Sequence, residues 1–375
     1  MRSPMSALTT SIDRPSGRAR RAAIEFGLAC REAAREHRLY MAIILVYAIA
    51  GLATGVITGI SELVNIRFYA GPFVLLIFVF SFVFVLGHTV WTAAVVRPKD
   101  SLFVAIGRDL RTRILTRQRI AGFLAACVLA PLFFSTFGSF KRLIPRLNPF
   151  SWDPAFVELD RWLHLGEHPW RLLQPVLGEP LVTSALSFTY NLWFFVLSFT
   201  FIWQALSSKR ARLRMQFLIA FLLTWVVLGT VLATVFSSAG PVYFGAVTGR
   251  ADPFAPLMTY LYGVQEVYPV WALDVQERLW ATYQAGGIDL GSGISAMPSL
   301  HVGTSVLFAL LGWRINRWAG IAYTVFAGLI MIGSVHLAWH YAIDGYVSLI
   351  ALPPIWWLAG IIARRSTSGV QPAAA

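Results

Sequence analysis

Residues 217–236 read FLIAFLLTWVVLGTVLATVF, a stretch without a charged side chain that is long enough to cross a lipid bilayer as one helix. Similar apolar runs recur along almost the whole chain. Hydrophobic residues make up 57% of the 375 residues and charged residues only 13%. A soluble domain cannot bury such an apolar excess behind a polar surface. The sequence therefore predicts an all-α integral membrane protein.

The charged breaks between the apolar runs predict about eight transmembrane helices. The sixth is short and begins at Pro298, which suits the first turn of a helix because its missing N–H would have no partner there. The predicted helices cover residues 39–60, 69–96, 119–140, 181–206, 213–238, 298–313, 318–337 and 340–363. They leave no room for a large soluble domain.

The predicted helices divide the chain into five regions. A basic tail at 1–38 precedes N-terminal membrane helices at 39–140, and a membrane core at 181–363 ends in a short tail at 364–375. The remaining region, 141–180, is rich in proline and tryptophan, which is typical of a segment at the membrane surface. We expect an interfacial helix or a lid there. Its amphipathic pattern is formed by Phe156, Leu159, Leu163 and Leu165.

A second long connection, 239–297, joins the fifth predicted helix to the sixth. It contains a helical-looking stretch near 271–284 and leads into the glycine-rich segment GGIDLGSGISAMPSLH. We expect this connection to lie on the same side of the membrane as 141–180, because an even number of spans separates them.

The distribution of charge predicts the orientation of the chain. About three quarters of the 31 Lys and Arg residues fall in the two tails and in the connections on their side, whereas two thirds of the 18 acidic residues lie elsewhere. Cytoplasmic segments are enriched in basic residues. We therefore expect both termini in the cytoplasm of a bacterial inner (plasma) membrane protein and the two long connections on the periplasmic or exterior side. The same clustering explains the net charge of +13, so no nucleic-acid partner is expected.

Two motifs at predicted outer helix ends carry the candidate chemistry. The segment SAMPSLHVG (295–303) places Ser299 and His301 at the entrance of the sixth helix, and HLAWHYAIDGY (336–346) places His340 and Asp344 at the entrance of the eighth. Residues four apart on a helix share one face, so the carboxylate of Asp344 is expected to bond the imidazole of His340. Ionisable groups at such positions are costly in a membrane and usually functional.

These residue types suit phosphoryl transfer. A neutral imidazole nitrogen attacks phosphorus well when a carboxylate fixes its tautomer and stabilises the developing cation, as Asp344 can do for His340. His301 can then give a proton to the leaving oxygen and later take one from the incoming water or alcohol. Ser299 and the N-terminus of its helix can bind phosphate oxygens, although Ser299 also suits a plain helix cap.

The motifs resemble those of the type 2 phosphatidic acid phosphatase superfamily, in which Pro-Ser-x-His is followed about forty residues later by His-x-x-x-Asp at outer helix ends. The resemblance covers roughly residues 180–360. The Pro-Ser-Leu-His form, the His-Tyr-x-x-Asp form and Ala-Gly-Pro-Val-Tyr at 239–243 are similar to the branch of inositol phosphorylceramide synthases. The resemblance implies a helical-bundle core, a phosphohistidine mechanism and a lipid phosphate or phospholipid substrate. In that mechanism His340 is the nucleophile, Asp344 its orienting partner and His301 the acid and base.

The sequence departs from the common superfamily pattern at the phosphate-clamping cations. Ser334 stands six residues before His340, where the superfamily has an arginine, and Arg97–Pro98 matches its basic dipeptide but falls on the cytoplasmic side of the predicted topology. Lys141 and Arg146 are the favoured replacements. Arg142 and Arg250 are further candidates.

Other interpretations remain open at this stage. His336, one turn before His340, is a candidate substrate contact or a member of a metal site with His301, His340 and Asp344, but the spacing completes no zinc ligand set and we expect neither metal nor cofactor. Cys30 and Cys127 are too far apart in the predicted topology to pair. A transporter or channel with a His/Asp proton relay is the alternative function. Hydrolase or transferase activity and the oligomeric state are left open.

Overall fold

The computed structural model describes residues 15–96, 101–208, 210–289 and 291–367, and within these ranges the regular structure is helical without a strand. The helices of the first half are α1 (Pro15–Glu36), α2 (Arg38–Thr58), α3 (Ala70–Trp91), α4 (Leu102–Asp109), α5 (Arg117–Cys127), α6 (Ala130–Leu147), α7 (Asp153–Leu163) and α8 (Pro169–Leu177). Those of the second half are α9 (Pro180–Leu206), α10 (Ala211–Val226), α11 (Ala233–Val235), α12 (Phe244–Thr248), α13 (Ala255–Gln265), α14 (Trp271–Gln284), α15 (Leu300–Ile315), α16 (Arg317–His336) and α17 (Ala342–Thr367).

The described residues contain seven helical stretches that are long and apolar enough to cross a membrane. They are Arg38–Thr58, Ala70–Val96, Arg117–Leu147, Pro180–Leu206, Ala211–Val235, Arg317–His336 and Ala342–Ser366. The shorter apolar helix α15 is the eighth. This architecture confirms the predicted all-α membrane fold of about eight helices.

The third span extends further than the sequence predicted. Lys141 ended the predicted apolar run, but the helix continues to Leu147 because Leu143 and Ile144 are fully buried against neighbouring helices. As a consequence, Lys141 and Arg146 lie on the last turns of α6 rather than in the connection that follows it.

Residues 15–36 form a docked helix where the sequence suggested only a basic tail. The side chains of Glu36 and Arg214 make an ion pair of 2.6 Å, and both are nearly buried. Arg214 also donates to the backbone carbonyl of Ser207, so α1 is joined to the start of α10. Both cysteines, Cys30 and Cys127, are free.

The connection 141–180 contains two helices, α7 and α8. Of the residues in the predicted apolar pattern, Phe156 is buried in the protein, whereas Leu159, Leu163 and Leu165 are exposed, so the interfacial position of this segment stays a prediction. The inward face instead carries Asp153, Phe156, Val157 and Asp160. Because two of the buried residues are aspartates, the distribution of hydrophobic residues alone does not reveal this face. The second long connection contains α12 to α14, and α14 coincides with the predicted stretch 271–284.

Two hydrophobic clusters organise the molecule. The larger one joins α2, α6, α9, α10, α15 and α17 along their length and includes the fully buried Phe133, Phe217, Phe221 and Phe308. The second lies where the two motif segments and the long connections meet and includes Phe254, Leu257, Leu273 and Tyr341. The candidate site is built into this second cluster, whose apolar side chains keep it largely dry.

Candidate active site

His340 and Asp344 form the centre of the site. His340 lies in the short connection between α16 and α17, and Asp344 lies in the first turn of α17. Their side chains are 7% and 0% exposed, and Nδ1 of His340 is 3.1 Å from Oδ2 of Asp344. The same carboxylate oxygen accepts the backbone N–H of Tyr341 at 3.1 Å. The structure therefore contains the predicted carboxylate–imidazole pair, and the N-terminus of α17 favours its negative charge.

His301 faces this pair from the first turn of α15. The ring centroids of His301 and His340 are 6.0 Å apart, and the ring planes meet at 62°. Tyr190 stacks on His301 at 4.6 Å, and Trp193 lies against it at 4.1 Å. These two rings hold the ring of His301 in place beside His340.

Tyr190 and Trp193 were not identified from the sequence. They lie on α9, where aromatic residues are ordinary in a membrane helix and no motif distinguishes them. Trp193 is fixed by a hydrogen bond of 2.8 Å from its Nε1 to the hydroxyl of Thr304, one turn after His301. This bond and the proximity to His301 are visible only in three dimensions.

Ser299 ties the two motif segments together. Its hydroxyl accepts the backbone N–H of Val302 at 3.3 Å, which makes it the N-cap of α15. Its own N–H donates to the carbonyl of Asp344 at 3.1 Å, and its carbonyl accepts the hydroxyl of Ser348 at 2.8 Å. Ser299 thus has a clear structural role, which is compatible with a phosphate contact from the same helix terminus.

Lys141 is the cation that the structure brings to the histidines. Its charge acts on both His301 and His340. The glycine-rich segment packs on its backbone at Gly293, where a Cβ would lie 3.0 Å from the carbonyl carbon and oxygen of Lys141 and φ is +98°. Only glycine accommodates both this close approach and this conformation.

The other basic candidates lie elsewhere. Arg146 is exposed and, being five residues further along α6, points about 140° away from Lys141 around the helix. Arg142 donates to the backbone carbonyls of Leu63 and Gly138. Arg250 is exposed in the connection after α12. Arg97 and Pro98 lie outside the described residues.

His336 and Ser334 are both buried and hydrogen-bonded within the protein. The Nε2 atom of His336 lies 2.9 Å from the hydroxyl of Thr183, which in turn contacts the hydroxyl of Tyr260 at 2.7 Å, and His336 is fully buried. Ser334 is fully buried as well, and its carbonyl accepts the backbone N–H groups of Trp339 and His340 at 3.0 Å. The position where the superfamily pattern has arginine therefore shapes the backbone of the His340 connection.

Two buried aspartates of α7 hold the His340 connection from the other side. Asp153 accepts the backbone N–H of Gly240 at 2.8 Å and the hydroxyl of Tyr341 at 2.9 Å. Asp160 accepts the backbone N–H groups of Ala342 and Ile343 at 2.7 and 2.9 Å. These bonds cap α17 next to His340. Their spacing of seven, which puts both on one face of α7, was the available sequence signal and was missed.

Burial determines the protonation of His340. It lowers the pKa of His340 to about 3, assisted by the charge of Lys141 and opposed by a backbone hydrogen bond to Ala296. A neutral ring at physiological pH is the form that can act as a nucleophile. Among the residues described, no group of three or more His, Cys, Asp or Glu side chains is arranged to hold a metal ion.

Comparison with known proteins gives one match. The family model described as PAP2 superfamily matches residues 154–358, more than half of the chain. The matched range contains both motif segments, whereas Lys141 lies before it. No curated protein and no solved structure matches the chain.

Proposed function

The chain belongs to the PAP2 superfamily, and from this premise we propose that it is a membrane-embedded phosphoryl-transfer enzyme acting on lipid phosphates or phospholipid head groups. The observation that carries the proposal is the buried pair of His340 and Asp344, 3.1 Å apart, with the ring of His301 centred 6.0 Å from that of His340. A phosphorus atom between the two rings would lie within reach of both.

The first half-reaction forms a phosphohistidine. With Nδ1 held by Asp344, the lone pair of Nε2 on His340 attacks phosphorus, and the bond from phosphorus to the leaving oxygen breaks. His301 gives its proton to that oxygen, so the lipid alcohol leaves neutral.

The second half-reaction reverses these roles. His301 takes a proton from water or from an acceptor alcohol, whose oxygen attacks the phosphohistidine and releases His340. Lys141 offsets the charge of the phosphoryl oxygens in both steps, together with donors at the N-terminus of α15. The similarity of the motifs to inositol phosphorylceramide synthases favours an alcohol acceptor, and with water the same site is a phosphatase.

The apolar surroundings of the site support a lipid substrate. Exposed apolar side chains cover α3 and the outer faces of α9 and α16, as expected for helices in contact with lipid. A substrate anchored in the bilayer can reach a site at the helix ends without leaving it. The site is proposed to face the periplasm or exterior, in agreement with the distribution of basic residues.

The proton-relay alternative requires ionisable groups along a path through the membrane. His340 lies in a connection and Asp344 and His301 lie in first turns, so this cluster occupies one end of the helices. That position favours chemistry at a surface over conduction through the core.

Product analysis tests the proposal. The purified protein is incubated with a phosphatidate or a phospholipid, with and without inositol or diacylglycerol as acceptor. We expect release of the lipid alcohol, together with inorganic phosphate or the phosphorylated acceptor. The His340→Ala variant is the control for contaminating phosphatases, and equal activity in both proteins would refute the proposal.

A further inference from the structure

A polar cleft lies beside the site, on a different face of α7. It has a volume of about 240 Å³ and lies between α7, the N-terminus of α8 and the connection from α12 to α13. The side chains from α7 that line it are Pro154, Val157, Glu158 and Arg161. The opposite wall is formed by His168, Phe244, Arg250, Ala251 and Pro253. We name it the Arg161–Arg250 cleft.

The Arg161–Arg250 cleft is separate from the catalytic pair. Pro154, Glu158 and Arg161 lie on one side of α7 and Asp153 and Asp160 face the His340 connection, with Val157 between the two sides. The ring of Phe254 packs against both His168 and Tyr341, at 5.7 and 5.8 Å, and so separates the cleft from the connection that carries His340. A ligand in the cleft is therefore not the reacting phosphoryl group.

Several polar groups of the cleft have unused hydrogen-bonding capacity. His168 is only 9% exposed, and its Nδ1 is buried without a hydrogen-bond partner. Arg250 is exposed, and its guanidinium makes no ion pair among the described residues. Arg161 donates to the carbonyl of Gly166 at 3.2 Å and pairs with Glu158 at 3.4 Å, and the side chain of Glu158 is 72% exposed. Unsatisfied buried donors are costly unless a ligand pairs with them.

We infer that the Arg161–Arg250 cleft binds a phosphate ester anion at a site additional to the catalytic one. Two guanidinium groups on facing walls match the oxygens of a phosphate, and His168 supplies a further donor. The N-terminus of α8, which begins directly after His168, adds a favourable dipole. The volume is below the range for drug-sized ligands, so it suits a head group or a small phosphate ester. Glu158 also lines the cleft and pairs with Arg161 at 3.4 Å, so the two arginines leave one positive charge in excess.

The ligand is either the head group of a membrane lipid or a soluble phosphate, and two probes distinguish them. Thermal stability of the full-length protein is measured in nanodiscs of phosphatidylcholine with added inorganic phosphate, and in nanodiscs containing phosphatidate. The variant Lys141→Ala/His340→Ala is the background, so that phosphate binding at the catalytic site is suppressed. A ligand that binds only the folded protein raises its melting temperature.

In that background, Arg250→Gln should lower the affinity for the stabilising ligand by about tenfold or more, because a charged hydrogen bond is lost. Arg171→Gln is the matched control, because Arg171 lies on α8, is 51% exposed and does not line the cleft. Stabilisation by inorganic phosphate identifies a soluble ligand, and stabilisation only by phosphatidate identifies a lipid head group. If Arg250→Gln and Arg171→Gln respond alike to both probes, the inference is wrong, whether or not the protein has phosphotransferase activity.

Discussion

Single substitutions of His340 and Asp344 test the proposed nucleophile and its partner directly. Replacing His340 with alanine removes the nucleophile, so rapid acid-free quenching with labelled substrate should trap no phosphoenzyme. Asp344→Asn keeps the ring but holds it in the wrong tautomer, and turnover should fall by about 10²- to 10⁴-fold. His88→Ala is a suitable control, because His88 pairs with Asp109 away from the motif residues and Asp109 retains its bond to Arg113. Full turnover in folded His340→Ala protein would rule out this nucleophile.

His301 is predicted to act on protons rather than on phosphorus. In His301→Ala protein, an activated aryl phosphate should still form the phosphoenzyme, because its leaving group needs no proton. Breakdown should stay slow for want of a base, so the intermediate accumulates. Quench-flow measurement of the labelled intermediate checks this outcome. If the variant breaks down its phosphoenzyme as fast as the native protein, His301 is not the base.

Lys141 and Arg146 make a matched pair on one helix. Lys141→Ala should raise KM by about ten- to a hundredfold, since a charged hydrogen bond to phosphate is lost. Arg146→Ala should change KM little, because the exposed Arg146 lies on a different face of α6. Steady-state kinetics on both variants compares them directly. If both variants change KM equally, Lys141 is not the cation that binds the substrate phosphate.

The sequence pointed to those candidate site residues that form a local motif, with suitable side chains at a helical spacing. The motif pair was found because His340 and Asp344 are four residues apart, which is the spacing of neighbours on one helix face. Tyr190 and Trp193 could not be found this way, since both reach the site from α9, a distant helix with no local pattern. Lys141 was identified only as one of several basic residues, because the sequence does not show how far α6 extends.

Helix α7 holds the His340 connection through Asp153. The carboxylate is fully buried and accepts four hydrogen bonds, from the hydroxyls of Ser238 and Tyr341 and the backbone N–H groups of Ala239 and Gly240. Asp153→Ala leaves these donors unpaired and should cost about 3 kcal/mol or more of stability. Glu158→Ala, an exposed change on the same helix, should cost less than about 0.5 kcal/mol. Unfolding in detergent distinguishes the two, and equal stability would refute the role of Asp153.

Asp160 makes the attachment of α7 to α17 sensitive to pH. Burial raises the pKa of Asp160 from 3.8 to about 6, against the two backbone bonds that lower it. Because the folded-state pKa is the higher one, the contribution of Asp160 to stability is fully present below about pH 4 and is lost as pH rises through about 6. The loss amounts to about 3 kcal/mol.

Asp160→Asn removes this titration, since the amide is neutral at every pH. The difference in stability between the native and Asp160→Asn proteins should therefore shift in favour of the variant as pH rises from 4 to 7. Glu158→Gln serves as the control for an exposed carboxylate on α7. A difference that stays constant over this range would show that Asp160 does not titrate there.

The orientation of the whole chain in the membrane follows from its charge and can be tested with the structure as a guide. The basic connections are expected in the cytoplasm, so α7 and the connection after α12, which lie on the other side, are predicted to face the periplasm or exterior. Cysteines report this only at exposed positions, and Asp160, at 3% exposure, is unsuitable. Leu165 is 99% exposed and Arg250 lies in an exposed turn, so both suit labelling after Cys30 and Cys127 have been replaced.

An impermeant thiol reagent applied to cells with a permeabilised outer membrane should modify Leu165→Cys and Arg250→Cys. It should modify Arg113→Cys, a residue that is 75% exposed near the opposite helix ends, only after the inner membrane is lysed. All three positions are exposed, so a difference in labelling reflects the side of the membrane. The reverse pattern would place His301 and His340 on the cytoplasmic side, and the proposed substrate would then have to come from the inner leaflet. A lipid phosphate carried on the outer leaflet is accessible to this enzyme only if the first pattern is observed.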